Sequence, residues 1–230
     1  MFERPHHRRI ASLLHALDAD LLTAHGCLFG GGTAIALRFG EFRESVDIDF
    51  LVSDADGYRA MRQRLTGPTG IGALCRPGLV IEAARPIRAD QYGVRTLLKA
   101  DGADIKFELV REARIVLQSP GDDDRICGVA TLTSLDMATS KLLANADRWA
   151  DDAVHSRDLI DLAMMVPTKK LLTKAVAKAR TAYGDSVETE LRTAVAALGR
   201  RRHRLDRCME ALQMSTVPKA VVWKRIKALV

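Results

Sequence analysis

Residues 28–54 read LFGGGTAIALRFGEFRESVDIDFLVSD. Leu28 and Phe29 are an apolar strand candidate running into Gly30–Gly32, and TAIALRFG reads as a helix with Thr33 near its start and Gly40 as its stop. SVDIDFLV alternates, with Val46, Ile48 and Phe50 on one face of a half-buried strand and Asp47 and Asp49 on the other. A helix that opens on a glycine turn presents unpaired N–H groups, and its dipole favours an anion there. Glycine also lets a ligand approach the backbone closely. Alone, the glycines fit a structural turn better than a phosphate cradle. Ile35 stands where a dinucleotide fingerprint needs its third glycine, and no Gly-Lys-Ser/Thr follows, so the patch is neither that fingerprint nor a Walker loop. The acid pair points further. Two carboxylates side by side repel unless a divalent cation lies between them, and hard oxygen ligands suit Mg²⁺ or Mn²⁺. The plainer alternative is a solvated strand face.

The chain has 230 residues, 47% hydrophobic and 28% charged, enough for one large domain or two small ones with a sizeable core. No apolar run approaches the roughly 20 residues needed to cross a bilayer, and Asp18 and Asp20 interrupt the N-terminal apolar stretch, so a cytoplasmic, membrane-free protein is expected. Cys27, Cys75, Cys127 and Cys208 are too scattered for a metal motif and read as free thiols. The net charge of +6 is uneven: from Lys169 onward there are 15 Lys and Arg against 5 Asp and Glu, a surplus of ten, whereas the first 168 residues hold the other 20 and 24, a net of −4. A basic lobe of this kind suits a polyanionic partner.

Residues 8–25 place Ile10, Leu13, Leu14, Leu17, Leu21 and Leu22 at helical spacing. Between about 71 and 130 the texture is of strands: LVIEAA (79–84), GVRTLLKA, DIKFELV and RICGVAT. After that the chain is helical, with Pro167 and Pro218 near helix starts. This predicts an α+β protein in two parts, residues 1–130 an α/β core with a mixed β-sheet and 131–230 a helical C-terminal domain, basic from 169 onward. His6 and His7 read as the solvated start of a helix, and Trp149 and Trp223 as packing anchors. Arg200, Arg201, Arg202 and Arg204, in GRRRHRLDR, are candidate contacts to an RNA backbone or else a solvated helix face.

Gly32-Thr33, 13 residues, then Asp47-Ile48-Asp49 within R-x-S-V-D-I-D-F resembles the polymerase-beta-type nucleotidyltransferase fold, and specifically the AbiEii-type toxins that include the MenT toxins of type IV toxin–antitoxin systems. DIKFELV is similar to that family's later Lys-apolar-acid strand, which makes Glu108 the third carboxylate with Lys106 beside it; Asp104 shares the face and competes for the role. TSLDMATSKLLANADRW and SRDLIDL resemble its downstream helical motifs at Lys141, Arg148, Arg157, Asp158 and Asp161. The likeness covers about residues 28–165, with a third glycine at position 30 and Glu for Asp at 108 as departures.

The resemblance implies a nucleotidyltransferase that moves NMP from an NTP to an acceptor and releases pyrophosphate. Asp47, Asp49 and Glu108 hold the metal, Gly31, Gly32, Thr33, Lys141 and Arg148 bind the nucleotide, and Lys141 and Asp158 complete the catalytic set with the three carboxylates. It also implies a toxin with tRNA 3′ ends as acceptor and an antitoxin partner. Two other readings fit the same residues: a transferase acting on a small molecule or a protein, and a non-catalytic module that binds RNA or an antitoxin.

Overall fold

Asp18 ends one helix and begins another. The computed structural model, which describes residues 2–230, places α1 over Pro5–Ala16 and α2 over Ala19–Ala24. The apolar spacing predicts one continuous helix here. Instead the Asp18 carboxylate accepts the Leu21 N–H at 2.9 Å and caps a new start, while Leu17 leaves the helix and bridges Cys75.

The chain then forms β1 (Leu28–Gly30), α3 (Gly31–Arg38), β2 (Ile48–Val52), α4 (Ala55–Thr66), β3 (Arg88–Ala89), β4 (Gly93–Ala100), β5 (Ala103–Arg111), β6 (Arg125–Ile126) and β7 (Val129–Ala130). The first five strands make one mixed sheet in the order β1-β2-β5-β4-β3. Only the β2–β5 pair is parallel. Alternation works as expected from Ile48 onward: Ile48, Phe50 and Val52 are buried, as are Ile105, Phe107 and Leu109 across the parallel pair. Phe29, Phe50 and Phe107 stack along this face with ring centroids 5.7 and 5.9 Å apart. Val46 falls before the strand and is 46% exposed, so it does not share the buried face.

Residues 79–84 form no strand of their own, and Leu79 and Val80 are exposed. Pro86 explains part of this, since it has no N–H to donate. On either side of it the chain still runs along β4: Ala83 bridges Leu98, and Arg88–Ala89 pairs with Val94 and Arg95.

The chain divides into two compact units. One takes the residues up to Leu37 together with Ser45–Thr133; the other takes Arg38–Glu44 and Ser134–Val230. The second unit is helical, with α5 (Ser134–Arg148), α6 (Arg157–Met164), α7 (Lys169–Tyr183), α8 (Ser186–Arg200), α9 (Arg204–Ala211) and α10 (Lys219–Lys227). The segment 38–44, which the sequence pattern leaves inside the first domain, clusters with these helices; Phe42 is buried and the Glu44 N–H donates to the Leu212 carbonyl at 3.1 Å. Among the described residues no helix is long and apolar enough to cross a membrane. All four cysteines are free, and burial pushes the Cys27 thiol up to about 12.

The aromatic row sets a stability test. Phe50→Ala opens a void between two rings and is expected to lower the unfolding free energy by about 3–5 kcal/mol, read as a drop in the urea midpoint; a loss below about 1 kcal/mol would contradict the packing described.

Candidate active site

In the first unit, β2 carries Asp49 and the residue before it is Asp47; both are half-buried. The parallel pairing sets Asp49 opposite Glu108, and the antiparallel pairing sets Glu108 opposite Arg95, so one row crosses the sheet as Gly30, Asp49, Glu108, Arg95 and Arg88. At one end of the row the chain turns from β1 into α3. Gly31 has φ +68°, and a Cβ there would overlap Asp49 Oδ2 and lie 3.0 Å from its Cβ and Cγ. A Cβ on Gly30 would lie 2.7 Å from Leu51 Cδ1 and 2.8 Å from Leu132 Cδ1. Position 31 therefore favours glycine through both its positive φ and the adjacent carboxylate, while at position 30 the leucine side chains would have to shift to admit a Cβ.

Thr33 is fully buried and its hydroxyl donates to Ser45 Oγ at 2.8 Å, so its side chain tethers the approach to the acid pair and only its backbone faces the helix start. His7 completes that tether. It is fully buried, not solvated as the sequence suggests, and its Nε2 accepts the Ser45 N–H at 3.1 Å. His6 Nε2 lies 3.1 Å from the Val46 carbonyl. Nothing local in HHRR marks this role; it depends on a partner 38 residues away.

Glu108 lies in register with Asp49 and is engaged by two cations. Its Oε1 accepts from Arg95 Nε at 3.0 Å and its Oε2 from Lys106 Nζ at 2.6 Å, and Arg95 also reaches Asp90. Burial would lower the Lys106 ammonium, but the Glu108 hydrogen bond and the charges of Glu108, Asp47 and Asp49 outweigh it and raise it overall. Asp104, the competitor, is exposed near the end of β5 away from Asp49. Among the described residues no group of three or more His, Cys, Asp or Glu is arranged to hold a metal ion. Two aspartates beside a glycine turn nevertheless fit Mg²⁺ or Mn²⁺, because such ions take one or two carboxylates and complete their shell with water and substrate phosphate.

In the second unit, Lys141 and Arg148 lie seven apart on α5, and Asp158 and Asp161 three apart on α6; each pair lines one helix face. Lys141 Nζ lies 2.9 Å from Asp158 Oδ1 and 2.7 Å from Asp161 Oδ2. Arg148 grips Asp158 with Nε at 2.7 Å and Nη2 at 3.0 Å. Arg157 lies on the same short helix, at its first position. Burial pushes the Asp158 carboxyl up, but Lys141 and Arg148 outweigh it and hold it well below the usual range. Burial likewise pushes the Lys141 ammonium down, and Asp158 and Asp161 more than reverse this.

Of the four arginines expected to meet RNA, Arg204 is 8% exposed and, with Arg201, is engaged by Asp152. Arg200 and Arg202 are exposed, as is Arg207 one turn on, and none of the three has an ion pair among the described residues.

The family model described as nucleotidyl transferase AbiEii toxin, type IV TA system, matches residues 13–225. Two solved structures are similar to the chain. One is a candidate nucleotidyltransferase from H. pylori, at 15% identity and TM-score 0.43, covering 97% of this chain and 96% of that one. The other is JHP933 from Helicobacter pylori, at 14% identity and TM-score 0.44, covering 99% and 96%. No match was found among curated proteins.

The ion cluster fixes a pH dependence. A depressed carboxylate stabilises the fold above its ordinary value of 3.8 and stops doing so as pH falls through its folded value. A raised ammonium stabilises fully below its ordinary value of 10.5 and loses that contribution as pH rises through its higher folded value. Melting temperature should therefore hold between these limits and fall below about pH 4, with a shallower acid slope in Asp158→Asn than in the parent. Parallel acid slopes would contradict the pairing.

Proposed function

Because the chain belongs to the AbiEii nucleotidyl transferase toxin family of type IV toxin–antitoxin systems, we propose that this nucleotidyltransferase moves NMP from an NTP onto the 3′ end of tRNA, with Mg²⁺ bound. The acceptor hydroxyl oxygen attacks the α-phosphorus, the bond to the β-phosphate oxygen breaks, pyrophosphate leaves and the hydroxyl proton passes to solvent. Transfer would block translation in the cytoplasm until a cognate antitoxin neutralises the enzyme. The observation that carries this reading is the Asp47–Asp49 pair set against the glycine-opened start of α3.

Asp47 and Asp49 would hold the cation, with Mn²⁺ as a substitute. The bound ion supplies charge neutralisation at the phosphates and an activated attacking oxygen. Backbone N–H groups of Gly31, Gly32 and Thr33 open a helix and suit phosphate oxygens. Glu108, paired with Arg95 and Lys106, limits the negative charge beside the aspartates. In the second unit Lys141 would meet the triphosphate, with Asp158 and Arg148 holding it in place. For the acceptor, support comes from the surplus of ten positive charges from Lys169 onward and from the exposed Arg200, Arg202 and Arg207.

The direct test incubates the protein with tRNA, Mg²⁺ and each α-phosphate-labelled NTP in turn. Label should enter tRNA with at least one NTP, Asp49→Ala should reduce the rate by roughly a thousandfold or more, about 4 kcal/mol of barrier, and Glu108→Gln should stay within about tenfold of the parent. Absence of label, or equal rates with Asp49→Ala, would refute the proposal. Replacing Arg200 and Arg202 by Ser should weaken tRNA binding and lower its log–log salt slope by about 1–2; an unchanged slope would place the RNA elsewhere.

A further inference from the structure

Five charged side chains in the second unit form one connected cluster. Arg43 Nε and Nη2 grip the two oxygens of Asp161 at 2.6 and 2.8 Å. Arg148 grips Asp158 in the same two-point manner. Each arginine–aspartate fork is neutral by itself. Lys141, 6% exposed and shared between the two aspartates, is the surplus charge. Its ammonium has three donors. Two are used, on Asp158 Oδ1 and Asp161 Oδ2, and no acceptor for the third is placed among the described residues. The two aspartates already offset the burial of this cation, and the unused donor is what a further anion can take.

We propose that Arg43, acting through Asp161, is a positioning residue that fixes Lys141 for the triphosphate, an inference that rests on the reading of Lys141 given above. Arg43 neutralises Asp161. Without it that carboxylate would draw Lys141 to itself and cancel the charge the lysine offers. Arg43 is built for the purpose: it is 4% exposed, its Nη1 donates to the Glu44 carbonyl at 2.8 Å, and Glu44 is itself tied to Leu212. A lysine at position 43 could keep the charge but not the two-point grip. Asp161 is completely buried, and the cations in direct contact with it are Arg43 and Lys141.

The test measures binding of non-hydrolysable ATP, CTP, GTP and UTP analogues with Mg²⁺ by calorimetry, beside the melting temperature without nucleotide. The parent should bind at least one analogue. Arg43→Gln should weaken that binding about tenfold or more, and Arg43→Lys should recover only part of it. The paired Arg43→Met/Asp161→Leu variant removes both charges, so it should keep the melting temperature within a few degrees and, with no unpaired carboxylate at 161 to draw Lys141 aside, bind the analogue more tightly than Arg43→Gln. In a Lys141→Met background Arg43→Gln should cost nothing further, because its effect runs through the lysine. Binding equal to the parent in folded Arg43→Gln, or a folded paired variant that binds no better than Arg43→Gln, would overturn the proposal. So would an equal further loss in the Lys141→Met background, or a parent that binds none of the four. If the paired variant does not fold, Arg43→Lys decides: binding weakened at an unchanged melting temperature supports the proposal, and parental binding overturns it. The transfer reading fails separately, when the parent binds a triphosphate analogue but puts no label on tRNA.

Discussion

The closest constraint in the first unit is the carboxylate of Asp49 lying against the backbone of Gly31. A side chain at position 31 would have to occupy the space of the Asp49 oxygen, and the backbone there has φ +68°, a conformation that costs other residues roughly 1–2 kcal/mol. The start of α3, the turn after β1 and the acid-bearing end of β2 are thereby placed by one another. Register carries the constraint across the sheet, because the parallel β2–β5 pair sets Glu108 beside Asp49 and the β4–β5 pair sets Arg95 beside Glu108. The next carboxylate in the row, Glu108, is matched by two cations, and one of them, Lys106, also lies in the field of Asp47 and Asp49.

The second unit solves a different electrostatic problem. Asp158, Asp161, Lys141 and Arg43 are almost fully buried, and such charges are tolerable only when each is paired and hydrogen-bonded. Two arginine forks accomplish that for the aspartates, and the lysine remains held at both oxygens yet not neutralised. A cation fixed in this way needs little reorganisation when an anion arrives, which is the general condition for electrostatic stabilisation of transferred phosphoryl groups.

The alternation of SVDIDFLV was readable because strand period and burial coincide at Ile48, Phe50 and Val52. The glycine turn was readable for the same local reason, and so were Lys141 and Arg148, whose spacing of seven puts them on one face of α5. What was not readable depends on partners distant in sequence. Glu108 is readable as an acid on the strand, but its pairing with Arg95 from the neighbouring strand is not. The Thr33 hydroxyl finds its partner in Ser45, twelve residues on. His7 looks solvated until the Ser45 N–H meets it. Arg43 and Asp161 meet across 118 residues, and no periodicity links them. The basic run at 199–207 is partly internal, because Arg204 is buried, while Arg201 pairs with Asp152 at the surface and Arg200, Arg202 and Arg207 are exposed.

A pair of aspartates that completes its metal shell with triphosphate oxygens differs measurably from a preformed three-carboxylate site. Titration of Mn²⁺ followed by electron paramagnetic resonance, with and without a non-hydrolysable NTP analogue, separates the two. Weak binding by the protein alone is expected to strengthen at least about tenfold with the analogue, to vanish in Asp49→Asn and to persist in Glu108→Gln. Tight Mn²⁺ binding without nucleotide that Glu108→Gln abolishes would contradict the two-aspartate site.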